Sequence, residues 1–242
     1  MKLYLYCLID DGASVESVIF SGPNAGISGT PVTLFCPGDF ALLVSDFAGA
    51  SVPVTRDNVL KHAAVVGSLL PFTTPLPFRF GTLATEAELE SYLAARSKAL
   101  QAKFEAVRGC VEMNIKIIWD REWTEETTSH EQLKPGTAFL AEKRREILGS
   151  ELRGAETKRI ASWLEERLGD SIKETRINTD FTDKLLLTVA HLVERSRVEQ
   201  YRSAVKNARL ERPELHFLAS GPWPPYSFAN IDLEFKSQFG VS

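Results

Sequence analysis

Two hydrophobic periods alternate along this chain, and the changes of period mark its elements. Lys2 to Ile9 is rich in Leu and Tyr and reads as a first strand, closed by Asp10-Asp11-Gly12. In the next stretch Gly22, Pro23, Asn24, Gly26 and Gly29 break any regular element. Val32–Phe35 and Phe40–Phe47 are two further strands, joined by the hairpin signal Cys36-Pro37-Gly38-Asp39. From Arg56 to Leu70 the period becomes helical, with Val59, Leu60, Ala63, Val66 and Leu70 as the apolar stripe and Pro71 as the stop. Leu76–Thr82 returns to a short strand. Pro77 cannot donate to a ladder, which puts this strand at a sheet edge or lets it enter the sheet at its first residue. Phe78 and Phe80 are expected on one face and Arg79 on the other, where it would tie sheet to helix. Gly81 closes the motif. Thr85-Glu86-Ala87-Glu88 then has the spacing of a capping box, and Leu89, Leu93, Leu100, Phe104 and Val107 trace a long helix ending near Gly109. Val111, Met113, Ile115, Ile117 and Trp119 alternate with Glu112, Asn114, Lys116, Ile118 and Asp120, the clearest period of two in the sequence.

Residues 123–136, acidic and Thr-rich with Pro135-Gly136 at the end, read as a linker. A second unit follows. Phe139, Leu140, Ile147, Leu148, Leu152, Ile160, Trp163, Leu164 and Leu168 mark a long helix, interrupted near Gly149 or Gly154. Ile172–Asn178 and Lys184–Val193 read as strands, Val198, Tyr201, Val205 and Ala208 as a helix stripe, and Glu214–Ala219 as a last strand. The order predicts an α+β protein of two domains, residues 1–122 and 137–220, each resembling a modified ferredoxin-like α/β sandwich with helices on one face of a sheet. An aromatic, Pro-rich tail, residues 221–242, completes the chain given.

Composition narrows the function classes. With 242 residues, 44% of them hydrophobic and 25% charged, the chain can bury a sizeable core, and no apolar run approaches the ~20 residues of a membrane-spanning helix. Lys2–Ile9 is too short and strand-like for a signal peptide. Three cysteines, Cys7, Cys36 and Cys110, form no C-x-x-C pair, so neither a disulfide framework nor a zinc site is indicated and a cytoplasmic setting is expected. The formal net charge is -4. Residues 1–136 carry 11 basic and 16 acidic groups, and residues 137–212 carry 16 and 13, an asymmetry too mild to point to nucleic acid.

Signals for chemistry are weak. His62, His130, His191 and His216 lack the spacing of a metal pair, and the glycines after the first strand lack the ending of a phosphate loop. No Gly-x-Ser-x-Gly or dinucleotide fingerprint is present. The expectation is therefore no enzyme and no cofactor or metal, with an RNA-binding ferredoxin-like module and a small-molecule enzyme as alternatives. The first needs exposed aromatics beside basic residues, and the second a pocket of convergent polar groups. Binding is better supported. Gly221-Pro-Trp-Pro-Pro-Tyr-Ser-Phe228 is stiffened by Pro222, Pro224 and Pro225 and displays Trp223, Tyr226 and Phe228. Such a segment packs back on the first domain or reaches a partner, and the first is expected. A basic row, Arg195, Arg202, Lys206 and Arg209, lies opposite the apolar stripe of its helix. It reads as a solvated face, with an acidic partner as the alternative.

Tyr4-Leu5-Tyr6, His62 leading into Leu76-Pro-Phe-Arg-Phe-Gly-Thr82, Val111-Glu112 running to Trp119-Asp120, and Gly221-Pro-Trp-Pro-Pro-Tyr-Ser-Phe228 together resemble the gas vesicle protein F/L family. Cys7 departs from a position that is often glycine there. The resemblance implies a non-enzymatic accessory protein for building gas vesicles, without separating the F branch from the L branch. It implies as partners the small hydrophobic main shell protein, whose aggregation it would restrain and whose wall it would help nucleate, and other accessory proteins. The chain would act in the cytoplasm or at the vesicle, in some cases as a minor wall component. Leu76, Pro77, Phe78 and Phe80 are the candidate partner-binding residues, with Arg79, Gly81, Trp223, Pro224, Pro225, Tyr226 and Phe228 as structural ones.

Overall fold

The computed structural model describes residues 2–9, 25–118, 154–178, 185–229 and 231. Its elements are antiparallel sheets and helices in a mixed α/β fold. Contacts part the chain into two compact units, one of residues 1–112 with 221–242 and the other of residues 113–220. The expected linker at 123–136 and the start of the long helix near Phe139 lie outside the described residues.

In the first unit, β1 (Lys2–Ile9) is buried at every position after Lys2. It is an inner strand, beside β3, of a sheet that contains β2 (Thr33–Phe35), β3 (Ala41–Phe47), β4 (Leu76–Pro77) and β5 (Leu83–Ala84). β3 pairs with β1 along its length, with a register shift between Leu5 and Cys7, and β2 pairs with β3. On the other side, Cys7 and Leu8 face Pro77 and Leu76, while Leu3 and Tyr4 face Ala84 and Leu83. The expected single strand Leu76–Thr82 is thus broken in two. Thr82 donates from both its amide and its hydroxyl to the Arg79 carbonyl, and Gly81 adopts φ 87°, so the chain bulges between two short pairings with β1. Pro77 lies at the sheet edge, where its missing N–H leaves no inner ladder incomplete.

Two long helices among the described residues belong to this unit. α1 (Arg56–Ser68) starts at Thr55, whose side chain accepts from the Asn58 amide. Its buried positions are His62, Val65 and Val66, followed by Leu69, whereas Val59 is 40% and Leu60 57% exposed. Of the expected stripe, Val66 is buried and Leu70 half-buried, whereas Val59, Leu60 and Ala63 face outward. The helix carries apolar residues on both arcs, and the sheet takes the one centred on His62 and Val65. α2 (Glu86–Val107) forms as its pattern requires: Thr85 and Glu88 make the reciprocal capping box, and Leu89, Leu93, Leu100, Phe104 and Val107 are buried.

The second unit has a four-stranded sheet in the order β7 (Glu174–Asn178), β8 (Leu185–Glu194), β6 (Cys110–Ile118), β9 (His216–Trp223). β6, with its period of two, thus joins this sheet and does not extend the first. Residues 154–168 are helical and form α3, burying Ile160, Leu164 and Leu168. α4 (Val198–Glu211) buries Tyr201, Val205 and Ala208. The Arg212 guanidinium lies 5.4 Å above the Trp163 ring, which meets Phe217 edge-on. Among the described residues no helix is long and apolar enough to cross a membrane.

Candidate functional site

The alternation of β1 puts Tyr4 and Tyr6 on one face, with ring centroids 4.8 Å apart in an edge-to-face contact. From α1, His62 stacks on Tyr6 at 5.7 Å and meets the edge of Phe80 at 6.0 Å. Tyr226 of the C-terminal segment lies 6.3 Å from the same imidazole. Two residues of the first strand, one of the helix, one of the Leu76–Thr82 motif and one of the C-terminal segment thus form an aromatic box.

The polar atoms inside the box are arranged for packing. Ile27 N–H donates to Tyr6 Oη at 2.8 Å, which leaves the phenol hydrogen for Ser45 Oγ at 3.2 Å. The Gly81 amide points at Tyr4 Oη (3.4 Å), so the Tyr4 hydrogen is directed to His62 Nδ1 at 2.7 Å. The neutral imidazole then carries its own proton on Nε2, which has no hydrogen-bond partner. Burial pushes His62 down to about 4, against an opposing pull from the Phe78 backbone, and pushes the Tyr4 phenol well above its usual range. In the second unit His191 and Tyr201 make the same pair, Nδ1 to Oη at 2.7 Å, and burial lowers His191 to about 4 as well. Both imidazoles are neutral and interior, and neither is presented to solvent as an acid or base.

Glu112 anchors the returning segment. Pro224 and Pro225 are buried and lead into a short helical turn, α5 (Tyr226–Ala229), where a missing N–H costs nothing. The first-turn amide of Ser227 donates to Glu112 Oε2 at 2.7 Å, and the Ser227 hydroxyl donates to Oε1 at 2.9 Å. At the other end Lys103 Nζ donates to the Ala229 carbonyl at 2.8 Å. Phe228 and Ala229 are buried, and the turn packs against β4 and α2. Sequence reasoning placed Glu112 on the polar side of its strand, yet it is only 3% exposed. A lone carboxylate between Val111 and Met113 was the available signal, since burial of such a group demands donors.

The predicted site residues divide by burial. Leu76, Pro77 and Phe78 are buried, so their side chains complete the sheet; Phe80 is half-buried, Gly81 sits in the bulge, and Arg79 is exposed. Trp223 is 46% and Tyr226 38% exposed, and Phe228 carries the apolar anchoring. Of the basic row, Arg195 belongs to a 3-10 turn before α4, and Arg202 pairs with Glu199 at 2.7 Å. Among the described residues no group of three or more His, Cys, Asp or Glu could hold a metal ion.

What the fold and box define is a mixed α/β protein whose distinctive motifs meet to fasten a sheet edge. Residues 2–230 match the family described as gas vesicle synthesis protein GvpL/GvpF. Gas vesicle protein F1 of Halobacterium salinarum is 26% identical over 203 residues, covering 82% of this chain and 81% of that protein. Gas vesicle protein L1 of the same organism is 25% identical, covering 93% and 89%. The crystal structure of the gas vesicle protein GvpF from an Anabaena species superposes with a TM-score of 0.78 at 23% identity, covering 96% of this chain and 97% of that one, and supports the fold. This chain belongs to the GvpL/GvpF family of gas vesicle synthesis proteins.

Proposed function

We propose that this chain is a non-enzymatic assembly factor that binds the small hydrophobic main shell protein, limits its aggregation and helps nucleate the vesicle wall. It acts in the cytoplasm, alongside other gas vesicle accessory proteins, and stays with the wall as a minor component. Each unit is read as a modified ferredoxin-like sandwich, with residues 221–242 as a clasp on the first. The observation that carries this reading is the family match over residues 2–230. A very apolar subunit needs its sheet edges and greasy faces covered until it enters the wall. In the first unit the bulged edge strand offers Arg79 and Phe80 at its accessible turn, while Leu76, Pro77 and Phe78 hold the edge in shape.

The test is direct. Purified main shell protein is diluted from denaturant with and without the full chain, and its aggregation is followed by light scattering alongside co-sedimentation. Suppressed scattering with a recoverable complex is expected. Scattering unchanged at excess chain, with no complex recovered, refutes the proposal.

A further inference from the structure

The turn Tyr226–Ala229 sits in the first unit as a ligand sits in a receptor. Its backbone closes on itself: the Tyr226 amide donates to the Pro224 carbonyl at 2.7 Å, and the Phe228 and Ala229 amides donate to the Pro225 carbonyl at 3.0 and 2.8 Å. Pro224 and Pro225 stiffen its entry, so little conformational freedom is lost when it docks. The seat comes from residues before 113. Glu112, 3% exposed, takes the amide and hydroxyl of Ser227, and Lys103 Nζ donates to the Ala229 carbonyl. β4 and α2 flank the turn, and Phe228 and Ala229 are buried. A carboxylate at that depth requires donors, and an apolar slot beside it requires a side chain of the right size. The seat therefore selects a proline-led turn that carries Ser and then Phe.

The chain reaches this seat from elsewhere. It leaves the first unit after Glu112, builds the second, and returns at Gly221, whose φ of 121° is open to glycine. The contacts named above all join residues before 113 to residues after 223, so a turn delivered by another molecule makes the same ones. Pro-Pro-Tyr-Ser-Phe-Ala occurs once in the 242 residues, which gives each molecule one seat and one ligand for it. We propose that the seat of Glu112, Lys103 and β4 also takes residues 224–229 from a second copy of this chain, and that reciprocal exchange closes a two-fold dimer. Within one molecule the tether holds the turn at an effective concentration of roughly millimolar. The exchanged form thus belongs to closely packed copies, or to molecules whose own seat or turn is damaged. It does not depend on the shell-binding reading above.

Complementation between two damaged copies tests it. Glu112→Ala spoils the seat and leaves the turn whole, whereas Phe228→Ala spoils the turn and leaves the seat whole. Each is made in the full chain with its own tag, and circular dichroism checks its fold. Alone, each is expected to sediment as a monomer. Mixed, they regain one complete seat and turn across two molecules, so a one-to-one complex is expected, about tenfold or more tighter than the self-association of either variant. Excess synthetic peptide of residues 221–229 should dissolve it. Where either variant fails to fold, Lys103→Gln and Ser227→Ala, both at half-buried positions, take their places with the same expectation at smaller amplitude. No complex between two folded variants overturns the exchange. A complex that persists when both partners carry Glu112→Ala overturns it too, because the association then has no need of the seat.

Discussion

Acid should loosen the first unit through His62 before most of its carboxylates are protonated. The imidazole is 3% exposed, its Nδ1 is engaged by Tyr4 and its surroundings are the rings of Tyr4, Tyr6, Phe80 and Tyr226, with Lys61 next to it in sequence. Burial strips the imidazolium of its water, and the Phe78 backbone offsets that loss only in part. In the unfolded chain the ring takes a proton near pH 6.5, whereas in the folded chain it resists until about 4. The unfolded state therefore binds more protons throughout that interval. The stability that the neutral ring confers is complete above pH 6.5 and is lost as pH falls toward about 4, with a slope of up to ~1.4 kcal/mol per pH unit and a total of roughly 3 kcal/mol. The assay is urea unfolding followed by circular dichroism across this interval, for wild type and for His62→Gln. Glutamine does not titrate, yet its carbonyl can still accept from the Tyr4 hydroxyl. The variant should start lower at neutral pH and show a shallower acid slope. Equal slopes in the two proteins would refute the reasoning. His191→Gln should flatten a separate contribution from the second unit, because its pairing with Tyr201 has the same chemistry.

Three further outcomes follow from the packing. Glu112→Ala strips Ser227 of two charge-assisted hydrogen bonds and should cost about 2–3 kcal/mol while exposing the C-terminal segment to limited proteolysis; an unchanged cleavage pattern counts against the anchor. Phe228→Ala should cost about 3–5 kcal/mol and Trp223→Ala much less, since Phe228 is 5% and Trp223 46% exposed; the reverse order in chemical denaturation would show that the tryptophan is the true anchor. Gly26→Ala brings a Cβ within 2.1 Å of the Tyr6 hydroxyl, which Ile27 and Ser45 hold in place, so a loss of about 1–3 kcal/mol in thermal unfolding is expected, and wild-type stability would mean that the hydroxyl yields freely.

How far the chain could be read from sequence depended on how many answers each pattern allowed. α2 was legible in full because Thr85 and Glu88 fix its start and one stripe, Leu89 to Val107, fits one face. α1 was legible as a helix but not in its orientation. The expected stripe was right at Val66 and wrong at Val59, Leu60 and Ala63, because His62, Val65 and Leu69 offer a second apolar arc and the aromatic faces of Tyr4 and Tyr6 decide which turns inward. The motif around Arg79 was visible, yet its break into β4 and β5 was not, since alternation cannot show a turn closed by Thr82 on Arg79. The period of two in β6 identified a strand and said nothing of which sheet would take it. Of the site, the sequence displayed the aromatic members, but Glu112 and Ser227 stand 115 positions apart and meet only in space.

That separation also sets an order in time. A ribosome releases β1 to α2 early, then the whole of the second unit, and only afterwards the proline pair, Ser227 and Phe228 that complete the first. Until those residues emerge, Glu112 has neither of its Ser227 donors, and the outer side of β4 has no helical turn against it. The first unit is thus the first to be started and the last to be finished. Nascent chains stalled before residue 221 would carry an unsealed edge, at which the wrong neighbour could pair.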